Sequence, residues 1–284
     1  MHKDNINFTL NPINLRKVLD LSYNYVKFNS SEEIVNKLIT KFNLTNTFNN
    51  IIEQIDRPIV YGIKNKQNKL VVEIYLYYTD RQRGADILEY LEDALLLLSI
   101  LNTSIETSSI RERFVETSLD KAINIVSFDI DENGRIDETY INLYSSEDIV
   151  YKYNLHDNSI LNVGTFQTVD SINLKDFLNC KSCIKCEHTP AIMIDLLDLC
   201  PNLQDVSDVI IFHEKSYNNS VGIYLPPVNY TILKYFLSKY FNDLINHETL
   251  SNDDGIFNDI LFSVHLDYDL STGNINSCGF FDYF

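Results

Sequence analysis

Tyrosine, carboxylate, histidine and lysine side chains alternate with aliphatic ones along several short runs of this chain. In Val71–Tyr78 the polar-aromatic face holds Glu73, Tyr75 and Tyr77; in Glu138–Tyr144 it holds Glu138, Tyr140, Asn142 and Tyr144. In Ile260–Asp267 it holds Ser263, His265 and Asp267, and Tyr224 lies within Val221–Leu225. Lys64 ends the run Ile59–Lys64, while His213 and Lys215 share one face of Val209–Lys215. A tyrosine face attracts a cation by about 0.5–2 kcal/mol, and a carboxylate or an imidazole accepts a proton from a reacting group. Brought together, such faces make an aromatic site with its own base.

Two further motifs carry possible chemistry. Cys180-x-x-Cys183-x-x-Cys186-x-His188 is dense in soft ligands, and Cys200 lies downstream. Its spacing matches neither a paired zinc knuckle nor a complete ferredoxin run, so free thiols are the simpler reading. Asp129-x-Asp131-x-Asn133-Gly134 imitates the start of a calcium loop, but position twelve is Tyr140 rather than glutamate and the flanks alternate as strands. A hairpin turn is the simpler reading there too, and no metal site is assigned. Glycine-rich phosphate loops, GxSxG elbows and HExxH helices do not occur in the sequence.

The elements that must position the alternating faces are hairpins. Asn133-Gly134 between Ala122–Asp129 and Glu138–Tyr144 is a strong type I′ turn signal. Ser271-Thr272-Gly273 joins Ile260–Asp269 to Asn274–Phe284, Asn65–Lys69 joins Ile59–Lys64 to Leu70–Tyr78, and Ser216–Ser220 joins Val209–Lys215 to Val221–Leu225. Ile149–Leu155 and Ile160–Thr168 supply a possible fifth hairpin around His156-Asp157-Asn158. Between hairpins the apolar period lengthens to that of a helix. Helices are predicted over Leu15–Phe28, Ser31–Phe42, Thr45–Ile55, Ala85–Leu101, Ile110–Leu119, Leu174–Leu178, Ala191–Leu199 and Tyr230–Asn246, and Pro226-Pro227 is read as punctuation. The fold class is therefore α+β, repeated helix-helix-strand-strand units in a single domain, with residues 1–57 a helical lead-in and 58–284 the repeated part. Aliphatic strand faces must pack on the helices. The polar-aromatic faces meet water if the sheet is open, or line a lumen if it closes into a barrel.

The net charge is −17, from 40 acidic and 23 basic residues. Such a chain repels phosphate backbones and anionic lipid, which argues against nucleic acid and membrane as partners. The most apolar run, Ala94–Leu101, is far shorter than the roughly 20 residues that span a bilayer. The N-terminus carries no signal-peptide pattern, and the odd number of cysteines, five, favours a reducing, cytoplasmic setting.

Several stretches resemble the ABBA-type prenyltransferases, and most closely the cyanobactin-type peptide prenyltransferases. They are Val126-Ser127-Phe128-Asp129-Ile130 with Asn133-Gly134, Asp205–Phe212, Val221-Gly222-Ile223-Tyr224-Leu225, and the closing Phe280-Phe281-Asp282-Tyr283-Phe284. The resemblance spans about Pro58 to the C-terminus and lies in layout rather than in one motif. It implies ten antiparallel strands closed into a barrel ringed by helices, with an isoprenyl diphosphate as donor and a peptide or small aromatic acceptor. It also implies that Tyr75, Tyr77, Tyr140, Tyr144 and Tyr224 cage an allylic cation, with Asn142 and His213 beside them. Glu73, Glu138 or His265 would accept the proton. Lys64 and Lys215 are the strand cations available for diphosphate, so the lumen is expected to be acidic and aromatic and to need Mg²⁺, a cofactor implied by the resemblance alone. The other class of function compatible with these faces is non-catalytic binding of a basic peptide or a hydrophobic ligand.

Overall fold

The computed structural model describes residues 60–77, 87–101, 106–131, 135, 140–145, 149–170, 195–196, 198–199, 209–215, 219–228, 230–241 and 262–282. The helices predicted before Pro58 and over Leu174–Leu178 lie outside these residues, as do Glu138, the Asn133-Gly134 turn, and Cys180, Cys183, Cys186, His188 and Cys200.

Ten strands alternate with few helices: β1 (Val60–Lys66), β2 (Lys69–Tyr77), α1 (Ile87–Leu101), α2 (Thr107–Asp120), β3 (Ile123–Asp131), β4 (Tyr140–Ser145), β5 (Ile149–Asn154), β6 (Ile160–Asp170), β7 (Val209–Lys215), β8 (Ser220–Val228), α3 (Tyr230–Tyr240), β9 (Phe262–Asp269) and β10 (Ile275–Asp282). Each strand pairs antiparallel with its sequence neighbours, and β10 pairs with β1 to close the barrel. The closing register sets Gly62 opposite Phe281 and Lys64 opposite Gly279. Closure removes every sheet edge.

The turn chemistry acts where the sequence places it, with longer arms. Gln67 and Asn68 take φ of 55° and 63°, the type I′ geometry, so β1 and β2 extend through Lys66 and from Lys69. The Asp269 carboxylate accepts the amides of Ser271 (2.7 Å) and Thr272 (3.0 Å), and Gly273 has φ 74°. Pro226 and Pro227 do not end β8. They lie where its register with β9 shifts, a position that requires no amide donor.

The repeated helix-helix-strand-strand pattern is not found among the described residues. A helix pair separates β2 from β3, residues 146–148 alone join β4 to β5, and one described helix stands between β8 and β9. Antiparallel neighbours need only a tight turn, so the strands from β3 to β6 form an uninterrupted meander. Asp195, Leu196, Asp198 and Leu199 are helical, within the stretch expected to be so.

Alternation sorts the two faces as expected. Val72, Ile74 and Leu76 of β2 and Val126 and Phe128 of β3 face outward and are buried with Leu91, Leu95 and Leu98 of α1. Phe114 of α2 packs edge-on against Tyr153 of β5, centroids 5.4 Å apart. The stripe of α3, Leu233, Phe236, Leu237 and the adjoining Phe241, is buried, with Phe241 edge-on to Phe280 of β10 at 5.8 Å. Among the described residues no helix is long and apolar enough to cross a membrane.

Candidate functional site in the barrel lumen

Five inward rings, one from each even-numbered strand, form a closed belt. Their centroids are separated by 6.0 Å (Tyr75 to Tyr144), 6.1 Å (Tyr144 to Phe166), 6.0 Å (Phe166 to Tyr224), 6.1 Å (Tyr224 to Phe281) and 5.8 Å (Phe281 to Tyr75). Even-numbered strands share one direction in an up-and-down barrel, so one side chain from each reaches the same layer. The residue two positions earlier also points inward: Glu73, Asn142, Gly164, Gly222 and Gly279.

Above the belt a cavity of about 330 Å³ extends to the hairpin end of the barrel. On one side of it, β1 to β4 build a closed polar network around a half-buried lysine. Lys64 Nζ lies 2.5 Å from Glu73 Oε2 and 2.8 Å from Asp129 Oδ1. Tyr75 donates its hydroxyl to Glu73 Oε2 (2.6 Å), Ser127 donates to Oε1 (2.7 Å), and Asn142 donates to Ser127 Oγ (3.1 Å). Burial opposes the charge on Lys64, but Asp129 and Glu73 outweigh it and hold its pKa well above the usual lysine value. Burial likewise opposes the Asp129 carboxylate, and Lys64 outweighs it, so its pKa falls. The Tyr75 and Tyr144 hydroxyls are pushed well up by burial and by Glu73.

The opposite side, β6 to β10, is bare where the glycines stand. His213 stacks on Phe166 at 4.4 Å and His265 on Tyr224 at 4.9 Å. Each imidazole fills the space of a missing side chain. A Cβ on Gly164 would lie 2.8 Å from His213 Nε2 and 2.2 Å from the Glu214 carbonyl oxygen, and one on Gly279 would lie 3.1 Å from His265 Nδ1. Gly164→Ala is accordingly expected to cost about 1–3 kcal/mol, because the nearer obstacle is backbone and cannot rotate away. Urea unfolding of the variant measures this, and an unchanged midpoint would refute it. Both histidines have pKa values well below the usual range, through burial first and then the positive charge of Lys215 and Lys64. Lys215 bonds Asp267 Oδ2 at 2.7 Å, and Asp267 Oδ1, His213 Nε2 and His265 Nδ1 are buried without a hydrogen-bond partner among the described residues.

The fold thus brings Glu73, Asn142, Tyr144, Tyr224, Lys64, His213, Lys215 and His265 to one cavity, with Tyr75 in its floor. Tyr140 shares the inward face of β4 but takes no part in the belt; the Lys152 ammonium sits 5.8 Å from its ring centroid. The side chain of Tyr77 lies outside the described residues, as does Glu138. The expectation of an acidic lumen is corrected. Among the described residues, Lys64, Lys66, Lys152 and Lys215 line the cavity against Glu73, Asp129, Asp267 and Asp269, four charges of each sign. Lys66 joins because β1 runs two residues further than its sequence pattern suggested, and Lys152 because β5 is a true strand. The Asp129 carboxylate is held by Lys64, and Asp131 Oδ1 accepts the Arg135 amide at 2.8 Å in the hairpin connection.

Sequence reasoning missed Phe166 and Phe281 in the belt, and Ser127, Asp129 and Lys152 around the cavity. A signal for the first two was present. Gly164-Thr165-Phe166, Gly222-Ile223-Tyr224 and Gly279-Phe280-Phe281 repeat one inward glycine and one inward ring two residues on. Neither a protein-family model nor a curated protein matches the chain.

Proposed function

We propose that this protein transfers a prenyl group from an isoprenyl diphosphate to a peptide or small aromatic acceptor, as a cytoplasmic enzyme of the ABBA prenyltransferase type. The single observation that carries this reading is the closed belt of five aromatic rings beneath a lysine-bearing cavity. When the allylic C–O bond breaks, its electron pair leaves with the diphosphate and the carbon chain becomes a cation. Ring faces lower the energy of that cation, and an apolar belt keeps water from quenching it. The diphosphate would lie above the belt, among Lys64, Lys66, Lys152 and Lys215. Mg²⁺ fits this arrangement as a companion of the diphosphate rather than as a caged ion. Such an ion keeps most of its ligands from phosphate and water, and the unpartnered Asp267 Oδ1 could supply one protein oxygen. Bound there, Mg²⁺ would neutralise the leaving diphosphate.

A second reading is non-catalytic binding in the same lumen, of a hydrophobic ligand or a basic peptide. It is favoured by the pairing of Lys64 with two carboxylates and of Lys215 with one, which leaves less positive charge for a diphosphate. The deciding experiment titrates dimethylallyl and geranyl diphosphate with and without Mg²⁺ and follows product mass with a panel of peptides. Binding and turnover support transfer; no binding under either condition refutes it. If transfer occurs, Tyr224→Leu is expected to slow it by up to about 30-fold, the equivalent of about 2 kcal/mol of lost cation stabilisation. An unchanged single-turnover rate would remove Tyr224 from that role.

A further inference from the structure

We infer that the lumen binds a ligand through a carboxylate group, held by Lys215 and Tyr224 in the space over Gly222. Strands β1–β2–β3 and β7–β8–β9 carry one inward pattern in one register. Lys64, Glu73 and Asp129 of the first triplet stand where Lys215, Gly222 and Asp267 stand in the second. Glu73 lies between Gly62 and Asp129, and Gly222 between His213 and Asp267. One step deeper, Tyr75 beside Ser127 matches Tyr224 beside His265. The ion pairs repeat as well, Lys64 to Asp129 at 2.8 Å and Lys215 to Asp267 at 2.7 Å. At the central position, however, the first triplet carries a carboxylate and the second a glycine.

Glu73 shows what that position accepts. Its Oε2 takes the Lys64 ammonium at 2.5 Å and the Tyr75 hydroxyl at 2.6 Å, and its Oε1 takes the Ser127 hydroxyl at 2.7 Å. The matching groups in the second triplet are Lys215, Tyr224 and His265, and all three line the cavity. Lys215 is paired with one carboxylate where Lys64 has two, and His265 Nδ1 is buried with no partner among the described residues. Such an atom costs free energy until a ligand supplies its hydrogen bond. Gly222 also leaves room. A Cβ there would meet Tyr224 Cε2 at 3.3 Å and no backbone atom nearer than 3.9 Å, whereas carbonyl oxygens at 2.2 and 3.0 Å close off Gly164 and Gly279. Charge selects a carboxylate over a phosphate. The filled triplet sets one ammonium against two carboxylates, and a monoanion brings the open triplet to the same balance. A phosphate dianion or a diphosphate would crowd more negative charge against the unpartnered Asp267 Oδ1. Val150, Val163 and the Tyr144 ring in the cavity wall suit an apolar body, so the ligand class is a small aryl or alkyl carboxylate. This holds with or without prenyl transfer; in a transferase such an acid would compete with diphosphate for Lys215.

The test titrates the full chain calorimetrically with 3-phenylpropanoate, 3-phenylpropanamide and inorganic pyrophosphate, all without Mg²⁺. The acid is expected to bind at least about 10-fold more tightly than the amide, which keeps the shape and loses the charge. G222E rebuilds the Glu73 arrangement in the second triplet and is expected to abolish binding of the acid. E73G opens the first triplet and is expected to raise the stoichiometry from one acid per chain to two. Y224F, which stands in should either glycine exchange fail to fold, is expected to weaken the acid by about 10-fold through the lost hydroxyl. Equal affinities for acid and amide, unchanged binding in G222E or Y224F, or a stoichiometry that stays at one in folded E73G overturns the inference. Pyrophosphate binding more tightly than the acid overturns the choice of carboxylate. Binding of prenyl diphosphate without binding of the acid sinks this inference alone and leaves the transferase reading standing, whereas the reverse result supports the carboxylate site and refutes that reading.

Discussion

Lys64→Met is expected to destabilise the barrel by about 3–5 kcal/mol, because breaking a buried ion pair leaves its partner charges uncompensated. Two carboxylates depend on this ammonium. Glu73 and Asp129 lie 2.5 and 2.8 Å from it, and both are almost fully buried. Urea unfolding at neutral pH measures the loss. The combined variant Lys64→Met, Glu73→Gln, Asp129→Asn should recover much of it, since no buried charge is then stranded. A loss below about 1 kcal/mol, typical of an exposed pair, would show that the network does not hold in solution. The same cluster sets the pH limits of stability. The Asp129 pKa is depressed from 3.8, so its contribution is present above that value and is lost as pH falls through the lower folded value. The Lys64 pKa is raised, so its contribution is complete below about 10.5 and is lost as pH rises through the higher folded value.

Lys215→Met is expected to weaken binding of dimethylallyl diphosphate by about 10- to 100-fold, the worth of one charge-assisted hydrogen bond of about 1.5–3 kcal/mol. Asp267→Asn should act in the opposite direction when Mg²⁺ is withheld. It releases the ammonium now held at 2.7 Å and removes a like charge from beside the diphosphate. With Mg²⁺ present the gain should vanish or reverse, because Asp267 Oδ1 is the unpartnered oxygen available to the ion. Calorimetric titration of the two variants with and without Mg²⁺ checks all of this. Equal affinities for the unmodified protein and Lys215→Met would place the diphosphate elsewhere or nowhere in the lumen.

Much of the barrel is legible in the sequence because strand faces and turns are local. The period-two alternation of Glu73 and Tyr75 with Val72, Ile74 and Leu76 says which side chains share a face, whatever the sheet does next. The polar run around Gln67-Asn68 names a tight turn for the same reason. The helical stripe of Leu91, Leu95 and Leu98 names the face that must be covered. These features place Tyr75, Tyr144, Tyr224, His213 and His265 opposite the helices without any knowledge of closure.

Closure is a tertiary event. It rests on Gly62 meeting Phe281 across almost the whole chain, and alternation contains no term for pairing at such a separation. Only the closed barrel turns one inward ring per even strand into a belt, which is why Phe166 and Phe281 entered the site unannounced. Only closure sets Lys64 of β1 against Asp129 of β3 and turns an expected acidic lumen into one of balanced charge. The sequence by itself determined what each strand shows on either side. The tertiary structure decided which of those sides face one another, because opposite charges and stacked rings act only at distances that folding creates.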